Sequence, residues 1–227
     1  MSNRLKHLAM IMDGNGRWAQ DKGKKRIFGH KAGTEIIEDL AIYCAKDEDI
    51  KYLTLYAFST ENWNRPRLEI EFLMKLLDFY LQTKLKIYMK NNIKFNIIGD
   101  ISRLSKSLQR RIQKTMDLTK NGTKLTLTLA VNYGGKDEIT RAINKAIDIG
   151  EKIDENQFEK LLDTYDMPCV DLLIRTGGNC RISNFMLWQI AYAEFYFTDT
   201  LWPDFCVEEL TTILDSYKLR HRRFGGL

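Results

Sequence analysis

No stretch of this 227-residue chain approaches the ~18–20 consecutive apolar residues that a membrane-crossing helix needs. Met1-Ser2-Asn3-Arg4 lacks the apolar core of a secretory leader, so the expected location is cytoplasmic. Only three prolines are present, with no Pro/Gly/Ser-rich linker, internal repeat or low-complexity tract, which argues for one domain over residues 1–227. The four cysteines (Cys44, Cys169, Cys180 and Cys206) have neither metal-ligand nor redox spacing, and free, mostly buried thiols are expected. There is no dense basic stripe. A net charge of +5 suits a small anionic substrate or a loose membrane-surface attraction, and no nucleic-acid partner is expected.

What is present reads as a globular α/β protein, with 44% hydrophobic and 29% charged residues. Apolar strand-like runs at 8–12, 52–58, 93–98, 125–131, 170–174 and 195–197 alternate with helical patterns at 32–46, 66–90, 102–119, 136–150, 155–162, 184–193 and 207–221. Strands alternating with helices imply a mainly parallel central sheet covered by helices. The 66–90 pattern carries Leu68, Ile70, Phe72, Leu73, Leu76, Leu77, Phe79, Tyr80, Leu81, Leu85, Ile87 and Tyr88, more than one apolar stripe. Such a helix either packs on two sides or lines a hydrophobic tunnel. At ~1.5 Å per residue it is roughly 37 Å long, enough to flank an extended hydrocarbon.

Three loops carry the chemistry. Asp13-Gly14-Asn15-Gly16-Arg17-Trp18 follows the first strand and turns through glycines toward a helix start. A helix N-terminus offers unpaired N–H groups to phosphate, the arginine adds an anion clamp, and the carboxylate is suited to Mg²⁺. The plainer alternative is that Asp13 only caps the helix. Ser59-Thr60-Glu61-Asn62-Trp63-Asn64-Arg65-Pro66 follows the second strand. Asp171 through Gly178 leads on to Arg181-Ile182-Ser183-Asn184-Phe185 and Glu194. In a parallel sheet the carboxyl ends of strands gather ligand groups, so three such loops imply one shared anionic site.

These blocks, in this order and with the closing Arg222-Arg223-Phe224-Gly225-Gly226, resemble the cis-prenyltransferases over about residues 6 to 226. The nearest branch is the bacterial undecaprenyl diphosphate synthases, or isoprenyl transferases. The resemblance implies repeated addition of isopentenyl diphosphate to an allylic diphosphate such as farnesyl diphosphate. The product would be a long cis-polyprenyl diphosphate of the undecaprenyl type, a lipid-carrier precursor for cell-wall synthesis. It implies Asp13 as the essential carboxylate and Mg²⁺ ligand, with Gly14, Asn15, Gly16 and Arg17 cradling the allylic diphosphate. Arg26 and His30 match phosphate-binding positions, although His30 could equally be structural. Arg175, Arg181, Ile182 and Ser183 match the isopentenyl diphosphate site, although one arginine could instead pair with a carboxylate such as Asp171. Glu194 matches a second metal ligand given across a dimer interface; a salt bridge to Arg181 or Arg175 is the plainer account.

Asn62 matches the position assigned to removing the substrate proton. An amide is a poor base, so orienting substrate or relaying to a diphosphate oxygen fits it better. Ser59, Thr60, Glu61, Trp63, Arg65 and Trp18 complete the pattern, the two tryptophans either covering the reacting face or simply packing. The tunnel walls would be the 66–90 helix with Ala57, Leu125 and Leu127. Phe195, Tyr196 and Phe197 beside Glu194 suggest a homodimer whose tail, 222–226, reaches the partner's site, and peripheral membrane contact would assist product release. One departure stands out: Asn179 occupies a position where the family commonly has glutamate. A trans-prenyltransferase would need paired aspartate-rich motifs, and Asp47-Glu48-Asp49 is isolated. A non-catalytic partner subunit would be expected to have lost the charged clamps that this chain retains.

Overall fold

The computed structural model describes residues 4–220, so His221 and the 222–226 tail lie outside the described residues. Six strands form one sheet: β1 (His7–Ile11), β2 (Tyr52–Ser59), β3 (Ile93–Ile98), β4 (Leu125–Tyr133), β5 (Leu172–Arg175) and β6 (Glu194–Phe197). Their order is β3-β4-β2-β1-β5-β6, and every pairing is parallel. Seven α-helices accompany them among the described residues: α1 (Asn15–Asp21), α2 (Arg26–Lys46), α3 (Arg67–Lys90), α4 (Lys106–Thr119), α5 (Gly135–Ile149), α6 (Glu155–Glu159) and α7 (Val207–Lys218). The central strands are apolar on both faces because both are covered, one by helices and the other in large part by the turns of residues 182–193. β1 is buried throughout, and Leu53, Leu55, Leu127 and Leu129 join it in the larger core. A smaller cluster on Ala9, Ile11, Ala130 and Leu173 takes in Tyr133, Phe185, Met186 and Ile190.

Several boundaries differ from the sequence reading. The second helix begins at Arg26 rather than 32, which puts Arg26 and His30 on its first two turns. The 102–119 pattern is a 3₁₀ turn at Ile101–Arg103 followed by α4, which Ser105 caps by accepting from the Leu108 N–H at 3.3 Å. α6 stops at Glu159 and α7 at Lys218. Residues 184–193 are not a helix but a string of turns. Ser183, Asn184 and Met186 have φ of 49°, 63° and 46°, and Asn184 is held sideways: its carbonyl accepts from the Gly135 N–H at 2.7 Å and its Oδ1 from the Lys136 N–H at 2.9 Å. The apolar residues there still face a core, which is why the spacing imitates a helix. Of the cysteines only Cys44 is buried; Cys169, Cys180 and Cys206 are exposed, contrary to expectation.

At the amino end of β1, His7 is fully buried. Its Nδ1 donates to the Pro168 carbonyl at 2.7 Å, so Nε2 accepts from the Thr54 hydroxyl at 2.8 Å. Burial, opposed by the Pro168 contact and the Asp171 charge, pushes its pKa from 6.5 down to about 4. The unfolded chain therefore binds the proton first, and stability falls as pH drops from about 6.5 to about 4. The full loss is about 3 kcal/mol from this group. Urea midpoints at pH 7 and pH 4.5 should show a steeper fall for the wild type than for His7→Gln; equal slopes would remove the assignment.

Candidate active site

The sheet order reverses at β1, which has β2 on one side and β5 on the other, and a crevice opens beyond the carboxyl ends of these three strands. A cavity of about 640 Å³ fills it. Its mouth is lined by Asp13, Asn15, His30, Ser59, Glu61, Asn62, Arg65, Arg175, Arg181 and Ser183. Its depth runs between the sheet (Ala57, Phe58, Leu129 and Val131) and α3 (Leu73, Met74, Leu76, Leu77 and Tyr80). Three sequence-separated loops thus meet at one polar mouth above an apolar slot. Leu125 and Leu127, expected in the tunnel wall, are buried in the core instead; the wall is made by the next residues of the same face, Leu129 and Val131.

Asp13 is the hub of the mouth. It is not a helix cap: the residue at that place is Gly14, with φ 109°, and no side chain caps α1. A Cβ on Gly14 would meet Leu201 at 2.9 Å in a backbone conformation that L-residues avoid, so glycine is required here. α1 starts at Asn15, which places Asn15, Gly16 and Arg17 in the turn whose N–H groups lack helical partners. Asp13 Oδ2 accepts from Arg175 and from Asn179, each at 2.9 Å, and Oδ1 lies 3.6 Å from Arg17. Partial burial would raise the Asp13 pKa, but hydrogen bonds from Arg175 and Asn179 and the charges of Arg175 and Arg17 hold it below the usual value. Asp13 is ionised at neutral pH.

Arg175 is buried. Its guanidinium donates to Ser183 Oγ at 2.7 Å and to the Arg181 carbonyl as well as to Asp13. It does not pair with Asp171, whose carboxylate accepts from the Lys6 and His7 N–H groups. Arg181 is exposed and donates to Asn179 Oδ1 at 2.9 Å. Arg17 donates to the Gly177 carbonyl at 2.6 Å, closing the mouth from the other side.

A second cluster flanks the first. Glu69, which the sequence reading missed, gathers Arg65 at 3.1 Å, His30 at 3.6 Å and Arg26 at 3.7 Å. Burial and the nearby Arg65 charge lower the His30 pKa to about 4, against the pull of Glu69, so His30 is neutral at pH 7. Four buried side-chain polar atoms have no hydrogen-bond partner among the described residues, and three of them, Asn15 Oδ1, His30 Nε2 and Arg175 Nε, belong to residues lining this cavity. Buried polar groups are normally satisfied, so this is a site shaped for a polar ligand.

The remaining residues sort themselves plainly. Asn62 Oδ1 accepts from the Ser59 N–H at 3.2 Å, which leaves its NH₂ as the group free to meet a substrate and speaks against proton abstraction. Glu61 accepts from Asn184 at 2.9 Å and Thr60 lies close over Gly134. Trp63 donates to Asn132 at 2.6 Å under the Arg103 guanidinium, Trp18 donates to Asp204 at 2.6 Å, and Ile182 packs on the smaller core; none of the three lines the cavity. The tryptophan that does is Trp202, buried and donating to the Gly33 carbonyl at 2.8 Å. Tyr56 also lines it, stacked on Phe185 at 4.3 Å, its hydroxyl donating to the Tyr133 carbonyl. Glu194 stands in register with Leu172, at the opposite end of the sheet from Arg175, and pairs with Arg220 at 2.8 Å rather than with Arg181 or Arg175.

Among the described residues no three His, Cys, Asp or Glu side chains gather around one point. The site nonetheless fits Mg²⁺, which is commonly held by one or two carboxylates with substrate phosphates and water completing its shell. Asp13 is such a carboxylate, ionised and partly exposed at an arginine-lined mouth.

Residues 11–225 match the model of a protein family described as "Putative undecaprenyl diphosphate synthase". The isoprenyl transferase of Wolinella succinogenes is 52% identical, over 99% of this chain and 98% of its own. The ditrans,polycis-undecaprenyl-diphosphate synthase of Pasteurella multocida, named as specific for (2E,6E)-farnesyl diphosphate, is 50% identical over 99% and 96%. The chain belongs to the undecaprenyl diphosphate synthase family. Among solved structures, lavandulyl diphosphate synthase from Lavandula x intermedia, in complex with dimethylallyl diphosphate, superposes with a TM-score of 0.93 at 37% identity, covering 99% of each chain. A probable undecaprenyl diphosphate synthase from Campylobacter jejuni gives 0.84 at 39% identity over 97% and 98%. The family assignment agrees with the architecture: polar mouth, apolar slot, parallel sheet.

Proposed function

We propose that this chain is a Mg²⁺-dependent cis-prenyltransferase that adds isopentenyl diphosphate repeatedly to an allylic diphosphate, farnesyl diphosphate by preference, to make undecaprenyl diphosphate for cell-wall lipid carriers. The observation that carries the reading is a cavity that joins an arginine- and carboxylate-lined mouth to an apolar interior, the shape of a hydrocarbon bearing a diphosphate. The first turn of α1, Arg17 and Arg26 take the allylic diphosphate, and Asp13 holds the metal. Mg²⁺, when bound, neutralises the departing diphosphate. Arg175, Arg181 and Ser183 orient the incoming diphosphate so that its double bond faces the allylic carbon. Asn62 donates from its NH₂ and steers the proton toward a diphosphate oxygen, and the growing chain extends between α3 and the sheet.

The working form is a homodimer in the cytoplasm that touches the membrane surface as product leaves. Support comes from the edge strand β6, where Phe195 and the neighbouring Tyr192 are exposed. No helix among the described residues is long and apolar enough to cross a membrane, so the contact is peripheral. Purified protein with farnesyl diphosphate, labelled isopentenyl diphosphate and Mg²⁺ should yield labelled long-chain polyprenyl diphosphate, abolished by EDTA. No incorporation under these conditions would overturn the proposal.

A further inference from the structure

Asn179 touches both halves of the mouth. Its Nδ2 donates to Asp13 Oδ2 at 2.9 Å, and its Oδ1 accepts from Arg181 Nη1 at 2.9 Å. These two contacts fix which way the amide points, because a carboxylate only accepts and a guanidinium only donates. The loop delivering it is anchored: the Gly177 and Gly178 N–H groups donate to the Thr200 and Thr198 carbonyls at 2.8 Å, and their φ of 83° and 71° turn the chain back toward Asp13. Arg181 by contrast is exposed, and an arginine on the surface holds one orientation only where something holds it.

We propose that Asn179 is a positioning residue that ties Asp13 to Arg181 and so sets the two anion-binding halves of the mouth in register before any ligand or metal arrives. The inference rests on the diphosphate-binding reading of the site given above. A neutral amide can bridge an anion and a cation without adding charge to either. A carboxylate at 179 would still accept from Arg181, but it would donate nothing to Asp13 and would face it with a like charge. Arg175, Arg17 and Arg181 would offset part of that repulsion, and a metal cation between the two carboxylates would relieve the rest. Asparagine therefore makes anion capture less dependent on Mg²⁺ at this step.

The test is calorimetric binding of inorganic pyrophosphate, first with EDTA and then with Mg²⁺. Wild type should bind under both conditions. Asn179→Ala should bind roughly tenfold more weakly in EDTA, from loss of preorganisation. In an Arg181→Ala background the same change should cost less than about twofold, since the link no longer exists. Asn179→Asp should lose more than Asn179→Ala in EDTA and recover most of the difference with Mg²⁺, a signature that a merely structural role would not produce. Asn179 is half-buried in a loop, so each variant should fold, and circular dichroism is the check. If wild type bound pyrophosphate under neither condition, the diphosphate reading of the site would fall, and the inference with it. If wild type bound and Asn179→Ala stayed within twofold of it, or lost as much with Arg181 removed, the inference would fall and the reading would stand.

Discussion

Asp13→Ala is expected to lower turnover by roughly 10³-fold or more, with the folded protein retained, because it removes the carboxylate on which the mouth is built. Two of the three loops meet at this one side chain: Arg175 and Asn179, from β5 and the loop after it, donate to Oδ2, and Arg17, from its own loop, flanks Oδ1. The backbone role of the residue survives the change, since the Asp13 carbonyl accepts from Thr176 Oγ1 at 2.7 Å and from the Trp202 N–H at 3.0 Å in any variant. Arg175 keeps Ser183 Oγ and the Arg181 carbonyl as acceptors but loses its counter-charge, so the variant should fold with stability lowered by roughly 3 kcal/mol. Circular dichroism should therefore be near wild type, while single-turnover rates collapse at all Mg²⁺ concentrations. Asp13→Asn separates charge from shape: it preserves volume and one acceptor, and should be nearly as inactive if ionised oxygen at this place is the requirement. Near-wild-type rates for Asp13→Ala at saturating Mg²⁺ would end the assignment.

How much of this was legible in the sequence depends on what kind of signal each element left. Buried parallel strands read as apolar runs, and Ile93–Ile98 was found at both ends. The three loops were found because glycines, arginines and hydroxyl residues cluster directly after such runs. Depth along a strand leaves no such mark. Leu125, Leu127, Leu129 and Val131 share one face by parity, yet only the last two reach the cavity, because it opens beyond the carboxyl ends. Phe185, Met186, Ile190 and Ala193 are spaced as in a helix and face the smaller core, but the left-handed residues before them and the grip on Asn184 turn the chain out of that path. Glu69 was invisible for a different reason. A carboxylate on the first turn of a long helix is ordinary, its i,i+4 partner Arg65 is equally so, and only the fold brings Arg26 and His30 of α2 to it. Trp18 and Trp63 obeyed the plainer expectation for aromatics near turns, while Trp202, in no motif, took the place at the cavity wall.

Arg175 and Arg181 look equivalent in sequence, and the structure predicts that they will fail differently. Arg181 is exposed and, among the described residues, its guanidinium donates to Asn179 alone, so Arg181→Ala should raise the KM for isopentenyl diphosphate with little change in kcat. The loss of one charge-assisted phosphate contact costs on the order of 2 kcal/mol, or about 30-fold in KM. Arg175 is 3% exposed and joins Asp13 to Ser183, so Arg175→Ala should raise the same KM and also lower kcat, because Asp13 loses the partner that orients it. Breaking a buried charged pair from one side should in addition destabilise the protein by roughly 3 kcal/mol. Arg175→Lys would not rescue, since an ammonium cannot reach two acceptors in the fixed fork that meets Asp13 and Ser183. Steady-state kinetics with each substrate varied in turn distinguishes the cases. Should Arg181→Ala change only the affinity for the allylic diphosphate, the two anion sites have been assigned the wrong way round. Should Arg175→Ala leave kcat untouched while KM rises, the coupling of Arg175 to Asp13 carries no catalytic weight.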